Sequence, residues 1–459
     1  MKRKKVQEWV NSLPYPVRQI IKYASAALPP RLVHGRVFLE TCRFLRDSQW
    51  WSRERLAEYQ VGRLRDLLRH AYENVPYYRR VFDERGLRPE DIQDVDDLKK
   101  LPYLTKEIIR ENYHDLRARN ISRTIKTHTS GSSGEPFVFE EPSHADQVER
   151  AFIVRAFGAH NSRLFFEKSA WLRSYVPKSN APLHRHDPHL RILYLSAYNL
   201  SPETLPEYVR LIDSYGAKLL VGYPSSLYVF SMLLEGSGMH LDHLEVAHTG
   251  SEELPAPWRE RIETVLNIPV KDHYGMSEKV ALFHQCCESN LYHENLEYAV
   301  VEVVDMEDSV GEVVGTSLWN YAMPLIRYRM ADLAKVHTGE QVCSCGRGLP
   351  LTMVGFEGRS DDIIITPERR FIPPVNFYTL MHRMEKVKMF QIIQHSVDRI
   401  EVKIVPSDDL DEHSMALLER GLRERLGRDI CIDICQVRQI ERNRDTGKMR
   451  CIESRVRGI

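Results

Sequence analysis

Lys218-Leu219-Leu220-Val221-Gly222-Tyr223-Pro224-Ser225 is a short apolar run that stops at glycine and passes through a proline turn into a new pattern. It reads as a buried strand, a tight turn and the start of a helix. The same unit returns at Leu244-Glu245-Val246-Ala247, ahead of Thr249-Gly250-Ser251, and signals of this type begin at about Ile121. Repeated strand–turn–helix units predict an α/β fold with a mostly parallel sheet flanked by helices. Ligands in such sheets gather at the loops after the carboxyl ends of the strands, and glycine and serine fall in those loops here.

Upstream, as far as about Phe82, the period is helical. Val17, Ile20, Ile21 and Ala24 share one face, as do Leu64, Leu67, Leu68 and Ala71. Such stripes are expected to face the core rather than a membrane surface. Downstream, residues 300–304 and 311–318 form a second β region. After Gly358-Arg359-Ser360-Asp361-Asp362 the pattern becomes strand (390–394), strand (400–405), helix (413–426) and strand (430–437). The expected organisation is a helical N-terminal extension packed on the core (1–85), a large domain (86–360) and a small α+β C-terminal domain (361–459).

A chain of 459 residues exceeds what one core usually holds, about 250–300 residues. Lys+Arg 64 balances Asp+Glu 64, so no net field attracts nucleic acid or an anionic membrane. The basic residues at 2–5 could open a signal peptide, but Gln7, Glu8 and Asn11 interrupt the apolar stretch that should follow. No apolar run is long enough to span a bilayer. The 8 cysteines do not suggest a disulfide scaffold in a chain of this size, and a reducing cytoplasm is the expected compartment.

Four segments carry candidate chemistry. Thr129-Ser130-Gly131-Ser132-Ser133-Gly134-Glu135-Pro136 offers backbone N–H groups and hydroxyls able to cradle phosphate oxygens, although a polar glycine loop is by itself an ordinary turn. It lacks the Gly-Lys-Ser/Thr ending of a P-loop, which argues against a kinase. Tyr274-Gly275-Met276-Ser277-Glu278 places an aromatic suited to a purine near a carboxylate suited to Mg2+. Arg327-Tyr328-Arg329-Met330-Ala331-Asp332 ends in an acid able to accept two ribose hydroxyls, and otherwise reads as an ion-pair segment. Arg442-Asn443-Arg444-Asp445-Thr446-Gly447-Lys448 sets a lysine where it could neutralise an oxyanion, and otherwise reads as a solvated hairpin.

In this order the segments resemble the adenylate-forming superfamily, and most closely its phenylacetate–CoA ligase-like and CapK branch, from about residue 50 to the end. The resemblance implies a large ATP- and acid-binding domain with a small C-terminal domain that rotates about a hinge at Asp361. It implies that Thr129, Ser130, Gly131, Ser132, Ser133 and Gly134 hold the ATP phosphates and Glu278 holds Mg2+. Gly250, Ser251, Glu252 and Tyr274 would line the adenine, Asp332 and Arg359 the ribose, and Tyr223, Pro224 and Gly275 the acid pocket. Lys448 would bind the attacking carboxylate and the α-phosphate. The implied reaction makes an acyl-adenylate and pyrophosphate, then passes the acyl group to CoA or to an amine or hydroxyl. The acceptor stays open, because Thr366-Pro367-Glu368-Arg369-Arg370 lacks the glycine that CoA ligases carry after the hinge. A non-catalytic nucleotide-binding relative in a biosynthetic assembly is the alternative. A homodimer is compatible with either reading.

Cys287 and His293, with Cys343 and Cys345, have spacing suited to a closed Cys3His structural zinc site, and family members often carry a similar arrangement. Cys286 is the substitute ligand. Free buried thiols are the competing reading.

Overall fold

The structure is a computed structural model. It describes residues 17, 34–128, 138–158, 164–173, 182–357, 363–372, 374–381, 384, 386–406, 410–440 and 451–456. The loop from Thr129 to Pro136 therefore lies outside the described residues, as do Arg359, Asp361 and Lys448.

Three helices open the described chain: α1 (Arg36–Ser48), α2 (Arg53–Asn74) and α3 (Pro76–Glu84). The Ser52 hydroxyl accepts the backbone N–H of Arg55 at 3.3 Å and starts α2 by satisfying one of its free donors. The stripe Leu64, Leu67, Leu68 and Ala71 is buried in one core cluster with Val300 and Val313 of the main sheet, so it faces the core as its period predicts.

A short helix, α4 (Lys106–Glu111), leads to a hairpin of β1 (Thr124–His128) and β2 (Val138–Pro142), followed by α5 (Ala145–Gly158). His128 pairs with Val138, which holds the two ends of the intervening loop side by side. The parallel units follow: β3 (Ser169–Arg173), β4 (His184–Asp187), β5 (Ile192–Ser196), α6 (Leu205–Tyr215), β6 (Leu219–Gly222), α7 (Pro224–Glu235), β7 (Val246–Gly250), α8 (Ala256–Leu266) and β8 (Val270–Gly275). The second β region supplies β9 (Leu282–Gln285), β10 (Tyr292–Glu294), β11 (Ala299–Glu307), β12 (Val310–Ser317), β13 (Tyr328–Val336) and β14 (Leu351–Glu357).

These strands form one 12-stranded sheet in the order β11-β12-β13-β14-β10-β9-β8-β7-β6-β3-β5-β4. Pairing is parallel from β8 through β7, β6 and β3 to β5, and antiparallel elsewhere. Helices cover both faces of the parallel half: α6, α7 and α8 pack on Ala170, Leu220 and Ala247, while α1 and α5 pack on Leu219, Val221 and Val246. From β3 the chain moves one way, to β4 and β5, and from β6 it moves the other way, through β7 to β8. The strand order thus reverses between β3 and β6, the place where a crevice opens in a doubly wound sheet.

The C-terminal part holds β15 (Ile364–Ile365), β16 (Phe371–Ile372), α9 (Val375–Met381), β17 (Val387–Ser396), β18 (Arg399–Pro406), α10 (Glu412–Leu426), β19 (Cys431–Gln436) and β20 (Ile452–Ser454). The expected strand–strand–helix–strand order is present, in a sheet ordered β19-β18-β17-β20. At Gly421 an added Cβ would stand 2.3 Å from Leu380 Cδ1, so glycine lets α10 cross close to α9. This part touches the large sheet through the Phe371 N–H, which donates to the Leu200 carbonyl at 3.1 Å, and through Tyr198, which packs in its core.

One ion pair is sealed inside the molecule. Arg155 on α5 donates to both oxygens of Glu297, at 2.6 and 3.0 Å, and also to Asn295. The Ser48 hydroxyl at the end of α1 donates to Glu297 at 2.6 Å. Burial works to raise the Glu297 proton affinity, but the Arg155 charge and these hydrogen bonds outweigh it and leave the carboxyl below its ordinary 4.5. A partner removed here strands a buried charge, so Arg155→Met or Glu297→Gln is expected to cost about 3–5 kcal/mol, read from urea unfolding. Since the folded carboxyl has the lower value, its stabilisation is complete above about pH 4.5 and is lost as pH falls further. Acid unfolding curves of Glu297→Gln should lack that component.

Candidate functional site

The carboxyl ends of β6, β7 and β8 lie side by side, because Leu219 to Val221 pair with Val246 to His248 and Gly250 pairs with His273. Loops carrying Tyr223, Ser251 and Met276 therefore leave the same edge of the sheet. Gly250 is required there: a Cβ would stand 2.4 Å from His273 Cε1, where the imidazole closes over the strand end. Ser251 follows with φ 71, turning the chain sharply at the strand end. Glu252 accepts the N–H and hydroxyl of Ser225 at 3.1 and 2.6 Å. Its carboxylate thus sits on the positive end of α7 and ties two site loops together.

Tyr274 and Asp332 are far apart in sequence and meet in space, with the phenol donating to the carboxylate at 2.7 Å. Burial first, and then the Asp332 charge, raise the Tyr274 proton affinity well above the ordinary phenol, so the O–H remains a donor. Phe356 stacks on one face of Tyr274, with centroids 3.8 Å apart and planes within 7°. Glu278, at the end of the same motif, accepts the Tyr328 hydroxyl at 3.2 Å. It is half-buried, and burial raises its proton affinity against the opposing charge of Lys106. Tyr328 is held beside α4 because Leu104 exchanges backbone hydrogen bonds with Arg327 and Arg329, both 2.9 Å. The Tyr-Gly-Met-Ser-Glu turn and Asp332 thus form one hydrogen-bonded group.

The turn is anchored on its other side by Lys279, which follows Glu278 and adopts φ 56. Its ammonium lies 2.7 Å from Glu141 on β2 and 3.5 Å from Glu149 on α5. Burial raises the Glu149 carboxyl to about 7. The two arginines before Asp332 serve structure. Arg327, at φ 52, binds Glu302 at 2.7 and 3.0 Å, and Arg329 binds Glu312 and Asp305. The ion-pair reading of that segment therefore holds for its arginines, while its terminal acid turns to Tyr274.

Tyr223 and Pro224 open α7 at the reversal between β3 and β6, with the Arg173 guanidinium 5.2 Å from the Tyr223 ring centroid. Gly275 ends β8 next to Tyr274. Neither Phe356 nor Arg173 was among the residues singled out from sequence. Each is a lone aromatic or cation in a strand, and only sheet order brings it to this edge.

The cysteine site forms with one correction. Cys286, His293, Cys343 and Cys345 place their ligand atoms within 4.8 Å of one another. Cys286, rather than Cys287, is the fourth member. His284 pairs with His293 across the β9–β10 hairpin, and alternation along the strand sets Cys286 on the face of His284. Cys287 instead meets Arg347 at 3.5 Å. One fact favours metal over loose thiols, and another excludes a disulfide. His293 Nδ1 lies 2.8 Å from the Leu349 carbonyl, which only accepts, so Nδ1 carries the proton and Nε2 is free to ligate. Cys286 and Cys343 sulfurs stand 3.2 Å apart, well beyond the about 2.05 Å of a disulfide.

Comparison with known proteins agrees with this architecture. The family described as CapK C-terminal domain matches residues 364–455. Protein CapK of Staphylococcus aureus is 24% identical over 378 residues, covering 81% of this chain and 83% of that protein. A phenylacetate-coenzyme A ligase of Escherichia coli is 28% identical over 397 residues, covering 80% and 85%, and one of Thermus thermophilus is 26% identical over 411 residues, covering 82% and 90%. Among solved structures, 2-hydroxyisobutyryl-CoA ligase in complex with 2-HIB-AMP and CoA shares the fold with a TM-score of 0.53 at 18% identity, covering 89% of this chain and 91% of that one. In motif order and in its relatives, this chain is similar over most of its length to CapK and to the phenylacetate-coenzyme A ligases, and it shares the fold of an acyl-CoA ligase.

Proposed function

We propose that this chain uses ATP to activate a carboxylic acid, with the acid's carboxylate attacking the α-phosphorus to give an acyl-adenylate and expel pyrophosphate. The carrying observation is the bonded group Tyr274–Asp332 with Glu278–Tyr328, at the edge where the parallel strands end. Asp332 is oriented by the Tyr274 hydroxyl and would accept ribose hydroxyls. The face of Tyr274 opposite Phe356 would take the adenine, with Gly250, Ser251 and Glu252 shaping the adjoining wall. Glu278 would hold Mg2+, which when bound neutralises phosphate charge. The loop of Thr129, Ser130, Gly131, Ser132, Ser133 and Gly134 would take the phosphates, Arg359 the ribose, and Lys448 the transferring oxygens. Asp361 would be the pivot that exchanges Lys448 for the acceptor, with 361–459 as the moving domain, 86–360 as the catalytic domain and 1–85 as the extension.

CoA is the acceptor we favour, because the curated relatives over most of the chain include phenylacetate–CoA ligases. An amine or hydroxyl acceptor is the second reading. It rests on the turn between β15 and β16, where Arg369 takes φ 56 in a segment without glycine. No helix among the described residues is long and apolar enough to cross a membrane. The cytoplasm, with ATP and reduced thiols, is the compartment we assign.

We also propose that Cys286, His293, Cys343 and Cys345 hold zinc. Their ligand atoms all lie within 4.8 Å of one another, and three thiols with one imidazole are the donor set of a closed tetrahedral zinc site. With all four positions filled by protein, that ion would be structural, adding no Lewis-acid chemistry to the reaction.

Four measurements test these assignments. Carboxylate-dependent exchange of pyrophosphate into ATP should occur with at least one acid of a broad panel, and its absence throughout would favour the non-catalytic relative. Lys448→Ala should abolish exchange while leaving acyl transfer from a supplied acyl-adenylate largely intact, and equal loss of both steps contradicts its role. Tyr274→Phe, which frees Asp332, should raise the KM for ATP about three- to tenfold, the worth of one hydrogen bond. Metal analysis of protein purified under reducing conditions should find one zinc per chain, and Cys343→Ser should lower both zinc content and thermal stability. A metal-free, fully stable protein rules the zinc site out.

A further inference from the structure

We propose that Arg173 reads a second anionic group on the carboxylic acid substrate, so that the preferred acid carries a further carboxylate, sulfonate or phosphate. This rests on the adenylation reading above. Arg173 is the last residue of β3, at the reversal of strand order between β3 and β6 where the crevice opens. Its guanidinium lies 4.6 Å from the Trp171 ring centroid and 5.2 Å from that of Tyr223. Stacking of this kind engages the faces of the planar cation and leaves its N–H edge for a ligand.

Charge balance points the same way. Arg155 and Arg327, buried elsewhere in the large domain, are each met by a glutamate in two-point contact. Arg173 is half-buried, yet among the described residues its contacts are the two rings, with no hydrogen bond or ion pair to an acid. A cation taken partly out of water and left without a counter-charge is costly unless a ligand supplies one. The titratable groups that feel its charge, Tyr194 and His273, do not supply it. Burial, with the Arg173 charge adding to it, lowers the His273 proton affinity, and its Nδ1 is occupied by the Thr249 carbonyl at 2.8 Å. Asp272 in turn is engaged by Thr249 and Tyr292, at 2.6 and 2.7 Å. Among the described residues, the Arg173 guanidinium therefore stands beside two aromatic rings without a hydrogen-bonded acid. That arrangement suits two-point recognition of an oxyanion on an otherwise apolar or aromatic acid.

The test uses the full-length protein and matched acid pairs that differ only in a second anionic group, such as phenylacetate against carboxyphenylacetate and monomethyl succinate against succinate. In pyrophosphate exchange the wild type should favour the dianionic members in kcat/KM, and Arg173→Gln should cut that preference roughly ten- to a hundredfold. Arg173→Lys, which keeps the charge, should retain part of it. Preference for the monoanionic members in the wild type overturns the proposal. So does equal loss in the lysine and glutamine variants, which would assign Arg173 to holding Trp171 and Tyr223 in place. Calorimetric binding of the same acids without ATP separates the two readings. If no acid supports exchange, adenylation fails, yet dianion binding that is lost in Arg173→Gln still upholds the role of Arg173, and its absence overturns it.

Discussion

The ion pair between Arg155 and Glu297 is the constraint around which the large domain is arranged. Both side chains are almost wholly withdrawn from water, at 3% and 0% exposure, so neither tolerates the absence of the other. The pair fastens α5, which covers one face of the parallel strands, to the segment that leads into β11 of the antiparallel half. Ser48 brings the end of α1 to the same carboxylate. Three regions of the chain thus converge on one charge. Because the glutamate also receives Arg155 in two-point contact, the geometry is specified more narrowly than apolar packing alone would specify it.

That arrangement explains why the candidate site lies where the two halves of the sheet meet. β8 is the last parallel strand and β9 the first antiparallel one, and the turn between them carries Glu278. One side of the turn is bound to the antiparallel half through Tyr274–Asp332 and Tyr328–Glu278. The other side is bound through Lys279 to Glu141, near the end of β2, and to Glu149, in α5. The turn is therefore a joint with ion pairs on one flank and neutral or singly charged hydrogen bonds on the other. A metal-binding carboxylate benefits from being held this way, since its position is set before the ligand arrives.

Local signals made part of this legible and geometry withheld the rest. β6 and β7 were readable because each apolar run ends at a glycine, Gly222 and Gly250, and Gly250 is needed for a steric reason. α10 was readable from its period, and Leu418, Leu422 and Leu426 are indeed fully buried. Long-range facts were not available from spacing. That β10 sits between β9 and β14, that Phe356 backs Tyr274, and that Arg173 faces Tyr223 all depend on strand order. The choice between Cys286 and Cys287 turned on the register of one hairpin, where a single residue decides which face a side chain takes. The pairing of Tyr274 with Asp332 spans 58 residues and could be anticipated only through resemblance.

The sealed ion pair also bears on the order in which the chain can be assembled. Glu297 follows Arg155 by 142 residues. At typical rates of synthesis Arg155 waits on the order of ten seconds for its partner to be made, and longer for that partner to clear the ribosome. During that interval α5 carries a cation that cannot enter an apolar interior, and the parallel strands have no stable cover on that face. The first half of the sheet is therefore expected to stay open until the second half arrives, which makes the large domain a single cooperative unit despite its size.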